Sequence, residues 1–317
     1  MAELYSYQDY LESKVRIDYR SINRRVFSSF SQLLLKKRDP FILDVGTGTG
    51  LMIRKLITLP LRGNVRIFGI EKDEKNCSTA FRMIEKEMRN RFDHVSVDDG
   101  DLLSFSAGMA LRVSVIHGDF FTNGRLEESA QEGFDCVTAN AFLDIVPVQS
   151  TLHRIRGFLR DGGVFYSSIN YDGVTCFLPC FENASFEKAL IDEYNRSMDR
   201  RLVDGKPTGG SRTGSILFTE ALKSGFCIEN FGSSDWQIFP VRGKYKNYEK
   251  TFLSSILCTV FSESLKNPLL NSSELERWYK ARSAQVEQNT LVFITHQTDI
   301  LATRSNSCND NINVVNT

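Results

Sequence analysis

The sequence predicts an α/β fold, with a mostly parallel sheet and helices on both faces. Two observations lead there. From Pro40 onward, apolar runs of strand length alternate with amphipathic runs at helical spacing, the pattern of a sheet covered on both sides. The first of those strands, Phe41–Val45, runs straight into Gly46, Gly48 and Gly50, a strand-to-turn-to-helix junction. A third observation bounds the pattern: after the fifth strand the regular alternation gives way to stretches too long for ordinary loops.

The elements follow in order. Residues Tyr5 to Lys37 read as one or two amphipathic helices, because Leu11, Val15, Tyr19, Ile22, Val26, Phe27 and Phe30 recur at helical intervals. Strands are expected at Phe41–Val45, Val65–Glu71, Val113–His117, Phe134–Ala139 and Gly163–Asn170. Helices fit Gly50–Leu59, Glu74–Arg91, Arg125–Gln131 and Val148–Leu159. Tyr171–Gly214 follows as an aromatic-rich excursion with Phe177, Phe181, Phe186 and Tyr194 and a helix near Phe186–Arg201. Ser215–Lys223 is a helix ending at Gly225. A sixth strand starts at Phe226–Phe231 and extends toward Trp236. Tyr245–Leu265 and Ser273–Gln288 are helices, the second capped by Ser272 or Ser273. Thr290–His296 is the last strand, and the Asn-rich residues 303–317 form a disordered tail.

Composition narrows the class. Thirty-nine Lys and Arg balance thirty-nine Asp and Glu, which argues against a protein built to track a phosphate backbone. No run approaches the ~18 apolar residues of a membrane span. Seven scattered cysteines without a C-x-x-C pair, and only four histidines, argue against a disulfide scaffold or a bound metal. Reduced thiols and a cytoplasmic location are the expectation.

The glycine spacing carries the chemistry. A dinucleotide fingerprint G-x-G-x-x-G would place its third glycine at Leu51. What stands instead is D-x-G-x-G-x-G, from Asp44 through Gly46, Gly48 and Gly50. This resembles motif I of the class I S-adenosylmethionine-dependent methyltransferases. The resemblance implies a seven-stranded sheet with the last strand antiparallel, covering about Phe41 to Thr298. It implies that Asp44, Gly46, Thr47, Gly48 and Gly50 hold the methionine end of the cofactor, and that Glu71 binds the ribose hydroxyls. Asp119 would face the adenine amino group, Phe120 would lie beside the ring, and Asn140 would line the cleft. The fourth strand continues into Leu143-Asp144-Ile145-Val146, where many relatives carry a histidine this chain lacks. Asn140 is followed by Ala141, not proline, so the tetrad of adenine- and glutamine-methylating relatives is absent. Further on, INYDGVTCFLP, YNRSMDRR and FGSSDWQIFP are similar to uncharacterised bacterial methyltransferases with long C-terminal insertions.

The resemblance divides the chain into an N-terminal helical segment over the cofactor (1–39), a catalytic domain (40–302) with insertions at about 171–214 and 240–289, and the tail. Both insertions leave the carboxyl ends of strands, so they are expected to rise over the active face as a helical and aromatic cap. Polar groups expected near the acceptor are Asn170, Tyr171, Asp172, Tyr194, Arg200, Arg201, Asp235, Trp236 and Arg242. Of these Asn170, Asp172 and Tyr194 are the catalytic candidates, with Asp172 or Tyr194 as a base for a protonated nucleophile. His296 is expected at the far end of the last strand, away from the site. The expected activity is methyl transfer to O, N or C of a small molecule, without membrane or nucleic acid as partner. The alternatives are a protein or RNA methyltransferase and a non-catalytic binding module.

Overall fold

The computed structural model describes residues 7–304 except 107 and 247. The chain opens with helices α1 (Tyr7–Ser21) and α2 (Arg24–Leu35). Asn23 caps α2, its side chain accepting from the N–H groups of Arg25 and Val26. Strand β1 (Phe41–Val45), helix α3 (Leu51–Ile57), strand β2 (Gly63–Glu71) and helix α4 (Glu74–Arg91) come next. Strands β3 (Val95–Asp98), β4 (Asp101–Ser106) and β5 (Met109–His117) then precede α5 (Gly124–Ala130), β6 (Phe134–Asn140) and α6 (Val148–Phe158). The second half contains β7 (Leu159–Leu178), α7 (Ala184–Asp199), the short pair β8 (Leu202–Val203) and β9 (Lys206–Pro207), and α8 (Thr213–Lys223). It closes with β10 (Phe226–Ser233), β11 (Trp236–Ile238), α9 (Glu249–Ser264), α10 (Ser272–Glu287) and β12 (Val292–Arg304).

Nine strands lie in the order β10-β12-β7-β6-β1-β2-β5-β4-β3, and β11 pairs with β12 beside them. The run from β7 through β6, β1 and β2 to β5 is parallel, while β12 is antiparallel to both β7 and β10. The fold is therefore the predicted α/β class with the antiparallel last strand, but among the described residues the sheet has ten strands, not the expected seven. One apolar core lies under α2, α3, α4 and α9, and a second lies under α5, α6 and α8 on the other face. β1 is buried along its whole length, as a central parallel strand requires.

Several expectations are corrected. The hairpin β3–β4 was not foreseen; Asp99 and Gly100, both at positive φ, form its two-residue turn. β7 does not stop at Asn170. It runs on to Leu178, paired with Val292–Thr295 of β12, so the excursion begins as sheet. β12 likewise continues to Arg304, and residues 303 and 304, assigned to the tail, are strand. Residues 305–317, like the predicted helix start at Tyr5, lie outside the described residues. α10 is capped by Asn271, not Ser272 or Ser273, because the Asn271 side chain accepts from Glu274 N–H. Cys227 is disulfide-bonded, against the expectation of reduced thiols, while Cys77, Cys136, Cys176, Cys180 and Cys258 are free.

One buried carboxylate ties the N-terminal helices to the sheet. Asp299 Oδ1 accepts from Ile169 N–H at 2.9 Å, and Oδ2 accepts from Asn23 N–H at 2.8 Å and the Tyr166 hydroxyl at 3.2 Å. Ile169 sits at φ 59°, an unusual conformation for a β-branched residue. Its N–H leaves the sheet ladder where the β7–β12 register shifts, and Asp299 receives it. Replacing Asp299 by alanine orphans three donors, so Asp299→Ala is expected to cost about 3 kcal/mol or more in urea denaturation, and Asp299→Asn less. Unchanged midpoints in both would remove Asp299 from this role.

Candidate functional site

A cavity of about 660 Å³ lies along the carboxyl ends of β5, β2, β1 and β6 and the middle of β7. Its opposite wall comes from α1, α7 and α9. Open α/β sheets bind ligands at this edge.

The glycine loop forms one end. Gly46 and Gly48 line the cavity at φ 61° and 55°. A Cβ on Gly46 would run into the Phe142 ring, whereas one on Gly48 would make only an ordinary contact with the Gly46 carbonyl oxygen at 3.9 Å. Both positions let backbone form the cavity wall. Glu71, at the end of β2, ties this loop down: its Oε2 accepts from Gly48 N–H at 2.7 Å and its Oε1 from Asp73 N–H at 2.9 Å. Each carboxylate oxygen keeps a lone pair for a further donor. Beyond β5, Asp119 accepts from Phe121 N–H at 2.8 Å and pairs with Lys72 at 2.8 Å. Burial works to raise the Asp119 pKa, but Lys72, the Phe121 N–H and Arg154 together hold it below the usual carboxylate range. Phe120 also lines the cavity and is fixed edge-on against Phe142 and Phe158. Asn140 ends β6 on the cavity wall, its Oδ1 accepting from the Ser168 hydroxyl at 2.8 Å.

Two predicted positions support this end from behind. Asp44 is buried beneath the loop and accepts from the Thr138 hydroxyl at 2.6 Å. Burial pushes its pKa up to about 7, aided by the charge of Glu71 and opposed by the threonine hydroxyls. Gly50 caps α3 and is pressed against Ile84 of α4, outside the lining.

The other end is aromatic and carries unsatisfied polar atoms. Tyr10, Tyr171, Tyr194, Trp236 and Phe293 line it. Lys14 of α1 stands 5.7 Å from the Tyr10 ring centroid and 5.6 Å from that of Trp236, and 3.2 Å from Asp18 Oδ2. Asp18 Oδ1, Asp144 Oδ1 and Trp236 Nε1 are buried without hydrogen-bond partners. Burial raises the Asp18 pKa against the pull of Lys14 and of the nearby Trp236 and Asn140 donors. Burial likewise pushes Asp144 up to about 7, opposed by the Thr213 hydroxyl, the Tyr171 N–H, Lys14 and Arg201. The Thr213 hydroxyl lies near Asp144 but donates to the Gly210 carbonyl at 3.0 Å, so Asp144 Oδ1 keeps its lone pairs free.

The catalytic candidates divide. Tyr194 lines the cavity, and burial raises its pKa, which disfavours a phenolate base. Asn170 is directed into the sheet, bonded to the Ser167 hydroxyl and the Thr298 carbonyl. Asp172 faces the opposite side of β7, where it accepts from the N–H and hydroxyl of Ser215 and closes the first turn of α8. Strand alternation explains both departures, since Tyr171 takes the cavity side between them. Arg201 and Trp236 also reach the cavity. Arg200 instead pairs with Glu193 and Asp235 with His296, while Arg242 lies in an exposed turn. Phe177 and Phe181 belong to the core. His296 is not at the far end of its strand, because β12 runs eight residues past it. It lies 3.9 Å from Asp172 and 2.8 Å from Asp235, on the face away from the cavity.

Asp18 escaped the sequence reading. Its signal was a lone acid at the spacing of Leu11, Val15 and Ile22, on the apolar stripe of α1.

No protein-family model matches the chain, and no curated protein matches it in sequence. Among solved structures, the chain is similar to a protein of Bacillus halodurans C-125 provisionally assigned as a methyltransferase, at 14% identity and a TM-score of 0.46, over 88% of this chain and 98% of that one. It is also similar to a SAM-dependent methyltransferase of Thiobacillus denitrificans in complex with S-adenosyl-L-homocysteine, at 13% identity and a TM-score of 0.44, over 94% and 98%. A comparable methyltransferase of Geobacter sulfurreducens, with the same ligand, matches at 13% and 0.43 over 93% and 98%.

Two outcomes follow from the site. Gly46→Ala combines a forbidden φ with collision against Phe142, whereas Gly48→Ala carries the φ penalty alone. Thermal unfolding should therefore fall further for Gly46→Ala, by about 1 kcal/mol or more. The second concerns pH. Asp44 and Asp144 hold their protons to about pH 7 in the folded chain, against 3.8 for a free aspartate. Their contribution to stability thus falls as pH rises from about 4 to about 7, then levels off. Asp144→Asn should flatten that slope in urea titrations run across this window.

Proposed function

We propose that this chain is a class I S-adenosylmethionine-dependent methyltransferase acting on a small-molecule acceptor. The observation that carries the reading is the convergence, on one cavity, of the Gly46–Gly48 backbone, the Glu71 carboxylate and Asp119, each from the carboxyl end of an adjacent parallel strand. The donor set fits the cofactor. Glu71 offers paired acceptor oxygens to a vicinal diol, Asp119 an acceptor to an exocyclic amine, and Phe120 and Ile70 an apolar slot. Gly48 leaves room where a side chain would stand. Asp44, behind the loop, offers a carboxylate that the approach of a positive charge would favour in its ionised form. When bound, S-adenosylmethionine supplies an electrophilic methyl group to a nucleophile held in line with it.

The chain's own work is then to orient and to exclude water. α1, α7 and α9 form the wall that does so, acting as a cap over the acceptor end. An aromatic-walled cavity partly covered by α1, α7 and α9 supports a small acceptor over a protein or RNA segment, which calls for a broad groove.

Calorimetry with S-adenosylmethionine tests the cofactor. Glu71→Ala is expected to weaken binding at least about tenfold, as loss of a charge-assisted pair of hydrogen bonds requires. Absence of binding by the wild-type chain would end the reading. Incubation with methyl-labelled cofactor and fractionated cell extract then locates the acceptor: label in the small-molecule fraction is expected, and label only in protein or RNA overturns that part.

A further inference from the structure

We propose that the acceptor end of the cavity is an ammonium site, and that the acceptor is a small amine carrying an apolar or aromatic body, held between Asp18 and Asp144. This rests on the reading of the cavity as a methyltransferase site, and it specifies the acceptor class.

The argument starts from unsatisfied valences. Buried polar atoms are nearly always paired, and an orphaned carboxylate oxygen is among the costlier exceptions. Here two carboxylates on different elements, Asp18 on α1 and Asp144 just beyond β6, line the same cavity and each has one buried oxygen without a partner. Asp18 is only 1% exposed, so water does not relieve it. Neither oxygen has a donor within hydrogen-bond geometry, although the Trp236 N–H and the Asn140 carboxamide lie toward Asp18 and the Thr213 hydroxyl toward Asp144.

The walls select among donors. Tyr10, Trp236, Tyr171 and Phe293 present ring surface around these carboxylates, and aromatic faces attract cations. The chain's own Lys14 demonstrates the affinity: its ammonium stands against the Tyr10 and Trp236 rings and on Asp18 Oδ2. That contact spends one oxygen of Asp18 and leaves the other open. Across this end Asp18 and Asp144 face Lys14 and Arg201, while Glu263 is already paired with Lys266 at 2.8 Å. An acidic acceptor would set a further carboxylate beside Asp18 and Asp144, a like-charge contact that costs free energy.

Asp144 also has the chemistry to prepare the amine. An ammonium N–H bond breaks and an O–H bond forms at the Asp144 carboxylate, leaving the electron pair on nitrogen. A cation and an anion become a neutral amine and a neutral acid, and the lone pair is then free to act as nucleophile.

The test uses the full chain saturated with S-adenosylhomocysteine and matched probes: phenethylamine, 2-phenylethanol and phenylacetate, with butylamine, 1-butanol and butyrate as the aliphatic series. In titration calorimetry, at least one amine is expected to bind about tenfold or more tightly than its alcohol and its acid. Asp18→Asn and Asp144→Asn should each remove that preference while S-adenosylhomocysteine still binds, which also reports that the variants fold. An alcohol or acid binding as tightly as its amine overturns the proposal. So does amine binding unmoved by both variants, or a chain that binds no probe in either series. If S-adenosylhomocysteine itself does not bind, the methyltransferase reading fails, and the same titrations of the free chain decide the ammonium site separately.

Discussion

The Asp299 carboxylate is the tie on which the site's shape depends. It is buried on the last strand and collects donors from three parts of the chain: the linker before α2, the β7 backbone and the Tyr166 side chain. Burying a carboxylate is costly, and burial raises its pKa despite these donors. Hydrogen bonds to a charged group contribute about 1.5–3 kcal/mol each, so three of them are of the right size to offset the penalty. What the arrangement achieves is placement. Asn23 N–H, held by Asp299, sets the start of α2, and the Asn23 carboxamide also reaches the Ser233 carbonyl. α1 enters this joint from the other side and carries Tyr10, Lys14 and Asp18 over the cavity. The same carboxylate accepts the N–H of Ile169, whose positive φ turns the chain at the cavity floor.

The two ends of the cavity differ in how their charges are handled. At the glycine-loop end each charge is partnered and partly solvated, with Lys72 on Asp119 and backbone N–H groups on Glu71. An exposed pair of this kind contributes about 0–1 kcal/mol, so it costs little to rearrange around a ligand. At the opposite end, carboxylates are desolvated and incompletely paired. That arrangement works against stability, and proteins tolerate such a debt mainly where a ligand relieves it.

Much of the frame was legible because strand period and glycine spacing are local signals. β1 and α4 fall at the bounds read from sequence, and the residues expected at the cofactor end, Gly46, Thr47, Gly48, Glu71, Asp119, Phe120 and Asn140, line one cavity. What failed was non-local. The length of β7 is set by its partner β12, and neither strand announces the other in sequence. Asn170 and Asp172 were expected at a strand end but lie within β7, and a side chain's direction depends on register, which a run of residues does not reveal. Asp18 was hidden for the opposite reason: an acid within an amphipathic helix is read as solvated unless its position on the stripe is counted. The hairpin β3–β4 was readable, since Asp99-Gly100 is a two-residue turn pair flanked by alternating residues.

That hairpin also sets what backbone this edge of the sheet presents to another chain. Without it, the parallel β5 would end the sheet and expose a nine-residue ladder of free backbone groups beside Asp119. With it, the outermost strand is β3, only four residues long. It closes on Asp98, Asp99 and Asp101, so two chains approaching edge to edge would bring like charges together. A short, acidic margin is a poor template for strand addition, and it leaves β5 sheltered from pairing with another chain.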